Sequence, residues 1–178
     1  TDRMQAFIDQ MLYYARLRGA RRDYRFERLT LRDCIDEVLD DYRPLLEEKR
    51  FRIELRLADE TVYTDRRGLC FLLGQVVSNS VKYALDTPVL TFSLECDGHA
   101  AVLSIRDNGP GVRACDLPYV FEKGFTGDSG HEKSKATGMG LYLAREIAKD
   151  LGLKLTAASD WSAGFEIRVT FPIIEAKE

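Results

Sequence analysis

The chain contains two glycine-rich turns, Asp107-Asn108-Gly109-Pro110-Gly111 and Thr137-Gly138-Met139-Gly140-Leu141. The first follows an alternating hydrophobic segment, residues 102–106, which is predicted to be a strand that ends at the aspartate. Its glycines lack a Cβ, which permits a sharp turn and a close approach of the backbone to a bound molecule. The second turn opens a predicted helix, whose first backbone N–H groups are unpaired and attract anions. Each turn alone is also typical of an ordinary connection, but in this order they predict two sides of a pocket.

A third wall of this pocket is predicted upstream, in a helix over residues 66–85. Its apolar positions form one core stripe, at Leu72, Leu73, Val76, Val77 and Val81. Its polar positions recur at i, i+4, i+7 and i+8 and therefore share one strip of the other side. They are Gln75, Asn79, Lys82 and Tyr83. By itself such a strip indicates a solvated helix face, but beside the glycine turns it predicts a polar wall for a bound ligand.

The order of polar helix, D-x-G-x-G, long loop and G-x-G at a helix start resembles the ATP-binding domain of sensor histidine kinases. The wider family includes DNA gyrase, the mismatch-repair ATPase and the heat-shock chaperone ATPase. The resemblance covers about residues 26–172, most of the chain, and implies ATP and Mg²⁺ as cofactors. The chain contains neither the G-x-x-x-x-G-K-[ST] of a P-loop nor the third glycine of a Rossmann fingerprint.

The resemblance assigns a role to each wall. Asn79 and Lys82 are the expected catalytic residues: Asn79 would offer a carboxamide oxygen to Mg²⁺ and Lys82 a positive charge to the phosphates. Gln75 stands where the family usually has asparagine, so it is a second metal ligand that departs from the pattern. Asp107 would accept a hydrogen bond from the exocyclic amine of adenine, and Tyr83 would pack beside the base. The other expected cofactor-binding residues are Gly109, Gly111, Phe121, Lys123, Phe125, Thr137, Gly138, Met139, Gly140 and Leu141.

Between the glycine turns lies a long segment with little periodicity, at about residues 112–137, which is predicted to be a lid. Its stretch Phe121-Glu122-Lys123-Gly124-Phe125-Thr126 is similar to the F-box of the histidine kinase lid. The phenylalanines would pack the lid down and Lys123 would reach the phosphates. A further glycine-rich box of the family is only partly present, as Trp161-Ser162-Ala163-Gly164-Phe165.

The predicted fold is α+β, a two-layer α/β sandwich in which helices cover one face of a mixed sheet, with an N-terminal helix stub. Residues 1–22 are assigned to the end of a dimerisation helix and a hinge, and residues 23–178 to the catalytic domain. Thr30 is predicted to cap a helix over residues 31–48, with Asp33 as the acid of a capping box and Pro44 as a break. The last helix is predicted over residues 137–151. Strands are predicted near residues 25–29, 51–57, 62–64, 89–96, 101–107, 154–158 and 164–172.

Composition excludes other classes of function. The net charge is -3, and no dense basic run indicates nucleic acid. No apolar run approaches the ~18 residues of a membrane helix, so this chain is expected to make no membrane contact. The four cysteines form no C-x-x-C pair, so no zinc site is indicated.

The phosphoacceptor histidine of a histidine kinase is expected outside this chain. His99 lies in a predicted hairpin turn and His131 in the lid, and there is no other histidine. Residues 1–18 carry an a/d-like seam of Met4, Ile8, Met11 and Ala15. This stretch resembles the tail of a dimerisation helix. We therefore expect the chain to need its missing phosphoacceptor helix, to be unable to autophosphorylate alone, and to belong to a homodimeric protein that serves a response regulator.

The expected reaction is in-line transfer of the γ-phosphoryl group of ATP to a histidine nitrogen. Short sequence motifs, such as FEKGFTG at residues 121–127, resemble those of the small kinases that respond to envelope stress or peptide antibiotics. That implies the cytoplasmic domain of a membrane sensor in a Gram-positive-type bacterium. Two alternatives stay open: a stand-alone serine kinase of the anti-sigma type, and a nucleotide-gated interaction module without transfer.

Overall fold

A computed structural model describes residues 8, 11, 12, 15, 24–58, 61–96, 98–127, 137–160 and 162–172. The strands are β1 (Phe26–Thr30), β2 (Arg52–Arg56), β3 (Thr61–Asp65), β4 (Val89–Cys96), β5 (Ala100–Asp107), β6 (Lys154–Asp160) and β7 (Gly164–Pro172). The helices are α1 (Leu31–Asp41), α2 (Arg43–Glu48), α3 (Arg66–Lys82) and α4 (Gly140–Asp150). A short 3-10 turn spans Leu117–Tyr119.

The strands form one mixed sheet and a separate ribbon. The sheet has the order β2-β4-β5-β7-β6, in which β2 and β4 are parallel and the other neighbours are antiparallel. Strands β1 and β3 pair as an antiparallel ribbon. Alternate residues on the sheet point to the core or to solvent: Leu103 and Ile105 are buried, whereas Arg106 is exposed. One face therefore packs against the helices, and the predicted two-layer fold is confirmed.

The helix predicted over residues 31–48 is divided into α1 and α2 at Tyr42. Pro44 lies in the first turn of α2, where its missing N–H costs nothing, but it could not continue α1. The predicted break is therefore confirmed. The predicted capping box is wrong, because Thr30 makes no side-chain cap. Thr30 is the last residue of β1, paired with Thr61, and its Oγ1 is buried without a hydrogen-bond partner in the described part of the chain.

Asp65 fixes the start of α3, the helix that carries the predicted polar strip. Its Oδ1 accepts a hydrogen bond from the N–H of Gly68 at 2.7 Å, which caps the helix. Its Oδ2 accepts from the N–H of Arg25 at 2.7 Å. Asp65 is only 1% exposed; its bond from Gly68 is buried and its bond from Arg25 is partly buried. One carboxylate thus holds the entry to β1 against the beginning of α3.

We expect Asp65→Asn to lower the free energy of unfolding by about 1–2 kcal/mol. The amide oxygen can still accept one of the two N–H groups, but the NH₂ group cannot accept the other. Urea unfolding of the variant and the unmodified chain measures the difference. Thr30→Val is the control, because it removes a helix-start hydroxyl that has no bond to lose; its cost is expected to stay below about 0.5 kcal/mol. Equal losses in both variants would contradict the role of Asp65.

The N-terminal segment is described at four positions, and all four are helical: Ile8, Met11, Leu12 and Ala15. Met11 is half-buried and packs against the hydrophobic core, whereas the other three are exposed. The proposed boundary at residue 22 and the rest of the seam lie outside the described residues. Within the described residues, no helix has the length and apolar character needed to cross a membrane.

Candidate functional site

Two adjoining cavities lie between α3, the first glycine turn and the start of α4. The first has a volume of about 270 Å³, and the second of about 570 Å³. They share walls, because five residues line both: Asn79, Tyr83, Val120, Phe125 and Leu141. The three predicted walls therefore meet at one continuous groove.

Asp107 is the polar anchor of the first cavity. It ends β5, is only 8% exposed, and receives three hydrogen bonds. The N–H groups of Gly109 and Phe165 donate to Oδ1 at 3.0 and 3.3 Å. The hydroxyl of Ser80 donates to Oδ2 at 2.9 Å. Burial raises the pKa of the Asp107 carboxyl, and these three donors act in the opposite direction.

The β6–β7 turn presses against the first glycine turn and holds its shape. Gly164 has a φ of +120°, and a Cβ at this position would stand 2.2 Å from the backbone oxygen of Asp107. Ser159 joins the two turns as well: its Oγ accepts from the N–H of Val112 at 2.7 Å and donates to the oxygen of Gly164 at 2.9 Å. Gly164, the glycine of the partly matched box, thus supports the pocket through its backbone packing against Asp107.

The second cavity brings α3 together with the second glycine turn. Gln75, Asn79 and Lys82 line one side. Thr137, Gly138 and Gly140 line the other. The Nζ of Lys82 lies 4.6 Å from the ring centroid of Tyr83, a cation–π contact. A lysine, two carboxamides and a helix start therefore surround the same space.

The helix predicted to start at residue 137 instead begins at Gly140. Gly138 has a φ of +67°, and a Cβ there would stand 2.4 Å from the carbonyl carbon of Gly124. The N–H of Gly124 donates to the oxygen of Gly138 at 2.9 Å. Residues 137–139 therefore form a turn against the base of the loop at 112–127. The rest of the predicted lid, residues 128–136, lies outside the described residues.

Most of the predicted site residues line one or both cavities: Gln75, Asn79, Lys82, Tyr83, Asp107, Gly111, Phe125, Thr137, Gly138, Gly140 and Leu141. Four do not: Gly109, Phe121, Lys123 and Met139. Gly109 acts on the site through its bond to Asp107. Phe121 and Met139 are buried in the core, and Lys123 is exposed. Direct roles for these four in binding stay predictions.

The sequence profile described as "Histidine kinase-, DNA gyrase B-, and HSP90-like ATPase" matches residues 64–175 of the chain. The chain belongs to this ATPase family. The matched region begins at the end of β3 and includes α3, both glycine turns and the sheet from β4 onward. The family's ATPase domain implies that the chain binds ATP.

Known members of the ATPase family agree with the assignment. The chain is 31% identical over 166 residues to the sensor histidine kinase YxdK of Bacillus subtilis. This alignment covers 92% of the chain and 51% of the relative. It is 32% identical over 172 residues to the sensor histidine kinase GraS of Staphylococcus epidermidis, with coverages of 96% and 49%. It therefore spans about half the length of these relatives.

The fold is also similar to that of a solved structure of full-length ShkA in complex with AMPPNP. The TM-score is 0.78 at 20% sequence identity, and the match covers 98% of this chain and 37% of the other. At this identity the similarity concerns the fold alone.

The donor groups of the groove are of a kind that suits a magnesium ion. The described residues contain no group of three His, Cys, Asp or Glu side chains that could hold a metal ion. Gln75 and Asn79, one helical turn apart, offer neutral carboxamide oxygens to the second cavity. Mg²⁺ commonly takes few protein oxygens and completes its shell with water and substrate phosphate. The set therefore suits an ion that arrives with a nucleotide.

Among the residues of the candidate site that were not predicted as site residues from the sequence are Ser80, Val112 and Phe165. Val112 and Phe165 line the first cavity. Val112 directly follows the first glycine turn, and Phe165 is the last residue of the partly matched box at residues 161–165, so these positions were the available signal. Ser80 is buried and bonds to Asp107. Its partner lies 27 residues away, and the spacing of the helix gave no sign of it.

Proposed function

We propose that this chain binds ATP with Mg²⁺ and supplies the γ-phosphoryl group for phosphorylation of a histidine in a two-component sensor kinase. The observation that carries the proposal is the continuous groove, which has Asp107 at one end, Lys82 beside a helix start at the other, and Asn79 lining both parts. A purine nucleotide has the same polarity, a base at one end and phosphates at the other.

The first cavity suits adenine. The Asp107 carboxylate accepts hydrogen bonds, and the 6-amino group of adenine donates them, whereas the 6-keto group of guanine cannot. Val112, Leu141 and Phe165 supply apolar walls beside the base. Base recognition is therefore assigned to this end of the groove.

The second cavity suits the phosphates. The unpaired N–H groups at the start of α4 favour anions, and Lys82 adds a full positive charge. We assign Mg²⁺ to Asn79, with Gln75 as the second ligand; the ion would neutralise phosphate charge. Phosphoryl transfer depends mainly on positioning and on such neutralisation, so these groups serve the reaction without forming covalent bonds.

The acceptor histidine is assigned to a partner helix outside this chain. His99 lies in the turn between β4 and β5, outside both cavities. His131 lies outside the described residues. The relatives extend well beyond the matched half, and their names are those of sensor histidine kinases. We therefore propose a homodimeric parent protein with a response regulator as its partner, residues 1–22 as the end of its dimerisation helix, and residues 23–178 as its catalytic domain.

We also propose that this domain lies on the cytoplasmic side of a bacterial membrane sensor of the envelope-stress group. The resemblance of residues 121–127 to that group supports the assignment. The sequence similarity to two sensor histidine kinases from Gram-positive bacteria also supports the assignment to a bacterial sensor.

Transfer in trans tests the proposed activity. The chain is incubated with radiolabelled ATP, Mg²⁺ and a separately purified dimerisation domain that carries the acceptor histidine. We expect acid-labile label on that domain, and none after its histidine is replaced with alanine. Acid-stable label on serine would favour the serine kinase. Tight nucleotide binding without any transfer would favour the interaction module.

The metal assignment is tested by Asn79→Ala. We expect Mg²⁺ to strengthen nucleotide binding by the unmodified chain and to have no effect on the variant, because the carboxamide ligand is gone. Calorimetric titration with ADP, with and without Mg²⁺, measures this enhancement. Gln75→Ala is the matched comparison, and a smaller loss is expected there. Persistence of the full Mg²⁺ effect in Asn79→Ala would contradict the assignment.

A further inference from the structure

Ser80 stands behind the base-recognition end of the groove. It lies on α3, is only 4% exposed and lines neither cavity. Its hydroxyl donates to Oδ2 of Asp107 at 2.9 Å, across 27 positions of sequence. This hydrogen bond gives Ser80 a path to a bound nucleotide although it lines neither cavity.

The hydrogen bonds of Asp107 leave little freedom for its carboxylate. An ionised carboxylate has about four acceptor positions, two on each oxygen. The N–H groups of Gly109 and Phe165 take both positions on Oδ1. Ser80 takes one position on Oδ2. With these three donors in place, about one position remains, on the oxygen that Ser80 holds.

We infer that Ser80 is a positioning residue for purine selection, whose hydroxyl holds Oδ2 of Asp107 so that its remaining acceptor position faces the 6-amino group of the base. This inference rests on the proposed binding of ATP. Without the hydroxyl, Oδ2 has two open positions, and the carboxylate is free to satisfy them with water. The base then loses a directed acceptor, although the charge of Asp107 is unchanged.

A positioning role and a general structural role predict different patterns of binding. If Ser80 only supports packing, its loss weakens every nucleotide by a similar factor. If it directs Asp107 toward the 6-amino group, its loss weakens only nucleotides that carry this group. Purine riboside 5′-diphosphate, which has hydrogen at position 6, is therefore the matched probe for ADP.

The test is calorimetric titration of the unmodified chain and of Ser80→Ala with both nucleotides in the presence of Mg²⁺. We expect Ser80→Ala to weaken ADP binding by about tenfold, and to change the affinity for the 6-unsubstituted analogue by less than about twofold. Ser80→Cys retains a weak donor of similar size, so an intermediate loss for ADP is expected. If Ser80→Ala does not fold, Ser80→Cys tests the inference in its place.

The control is Ser78→Ala, the same change on the same helix. Ser78 is exposed, lies about 200° around the helix from Ser80 and lines only the second cavity, so any effect of its loss falls on both diphosphates alike. The Ser78→Ala variant should show the same ratio of affinities for ADP and the 6-unsubstituted analogue as the unmodified chain. Equal losses for both nucleotides in Ser80→Ala, or an unchanged preference for ADP, would overturn the inference. If the unmodified chain bound neither nucleotide, the proposed function itself would fail.

Discussion

Asp107→Asn is expected to weaken ADP binding by about 1–3 kcal/mol, roughly tenfold or more. The amide oxygen can still accept from the N–H groups of Gly109 and Phe165, which donate to Oδ1 in the unmodified chain. The NH₂ group then stands in place of Oδ2, where it faces the 6-amino group of adenine as a second donor. Two donors cannot bond, so the contact that selects adenine is lost. Calorimetric titration measures the change.

The control for this variant is Asp160→Asn, which removes the same charge from a side chain that is 74% exposed. Its ion-pair partner is Arg106, at 3.4 Å on the sheet surface. Its loss should change ADP affinity by less than about 0.5 kcal/mol. If Asp107→Asn bound ADP as well as this control does, Asp107 would not belong to the base-recognition end.

Gly164→Ala is expected to lower the free energy of unfolding by about 2–5 kcal/mol. The added Cβ would stand 2.2 Å from the backbone oxygen of Asp107, so either β7 or the first glycine turn must move. The φ of +120° adds backbone strain. Because the next residue, Phe165, donates its N–H to Asp107, nucleotide affinity should fall as well. Urea unfolding and ADP titration measure the two effects.

Gly98→Ala separates the steric contact from the backbone strain. Gly98 has a φ of +86°, but a Cβ there would have no atom within 4 Å. Only the conformational cost of about 1–2 kcal/mol is therefore expected, with ADP affinity unchanged. If both alanine variants lost the same stability and both still bound ADP normally, the close approach of the β6–β7 turn to Asp107 would not support the site.

Local sequence patterns predicted the parts of the molecule that depend on neighbours in the chain. Alternation placed Asp107 at the end of a strand, because period-two patterns reflect the two faces of a sheet. The apolar stripe from Leu72 to Val81 predicted the buried face of α3, because apolar residues at helical spacing share one side of a helix. Pro44 predicted the break between α1 and α2, since proline acts within one helical turn.

Features that depend on distant contacts were not predicted. The helix α4 begins at Gly140 and not at the predicted residue 137, because Gly138 packs against Gly124. No local sequence pattern indicates such a contact. Thr30 has the residue type of a cap, but pairing with Thr61 in the ribbon determines its place. Likewise, the bond from Ser80 to Asp107 joins a helix to a strand end and becomes visible only in the folded chain.

The central claim is that the groove binds an adenine nucleotide together with Mg²⁺. The most direct test is calorimetric titration of the purified chain with ADP and with a non-hydrolysable ATP analogue, each with and without Mg²⁺. We expect micromolar binding that Mg²⁺ strengthens. Absence of binding at millimolar nucleotide, in a chain shown to be folded by its circular dichroism, would contradict the claim.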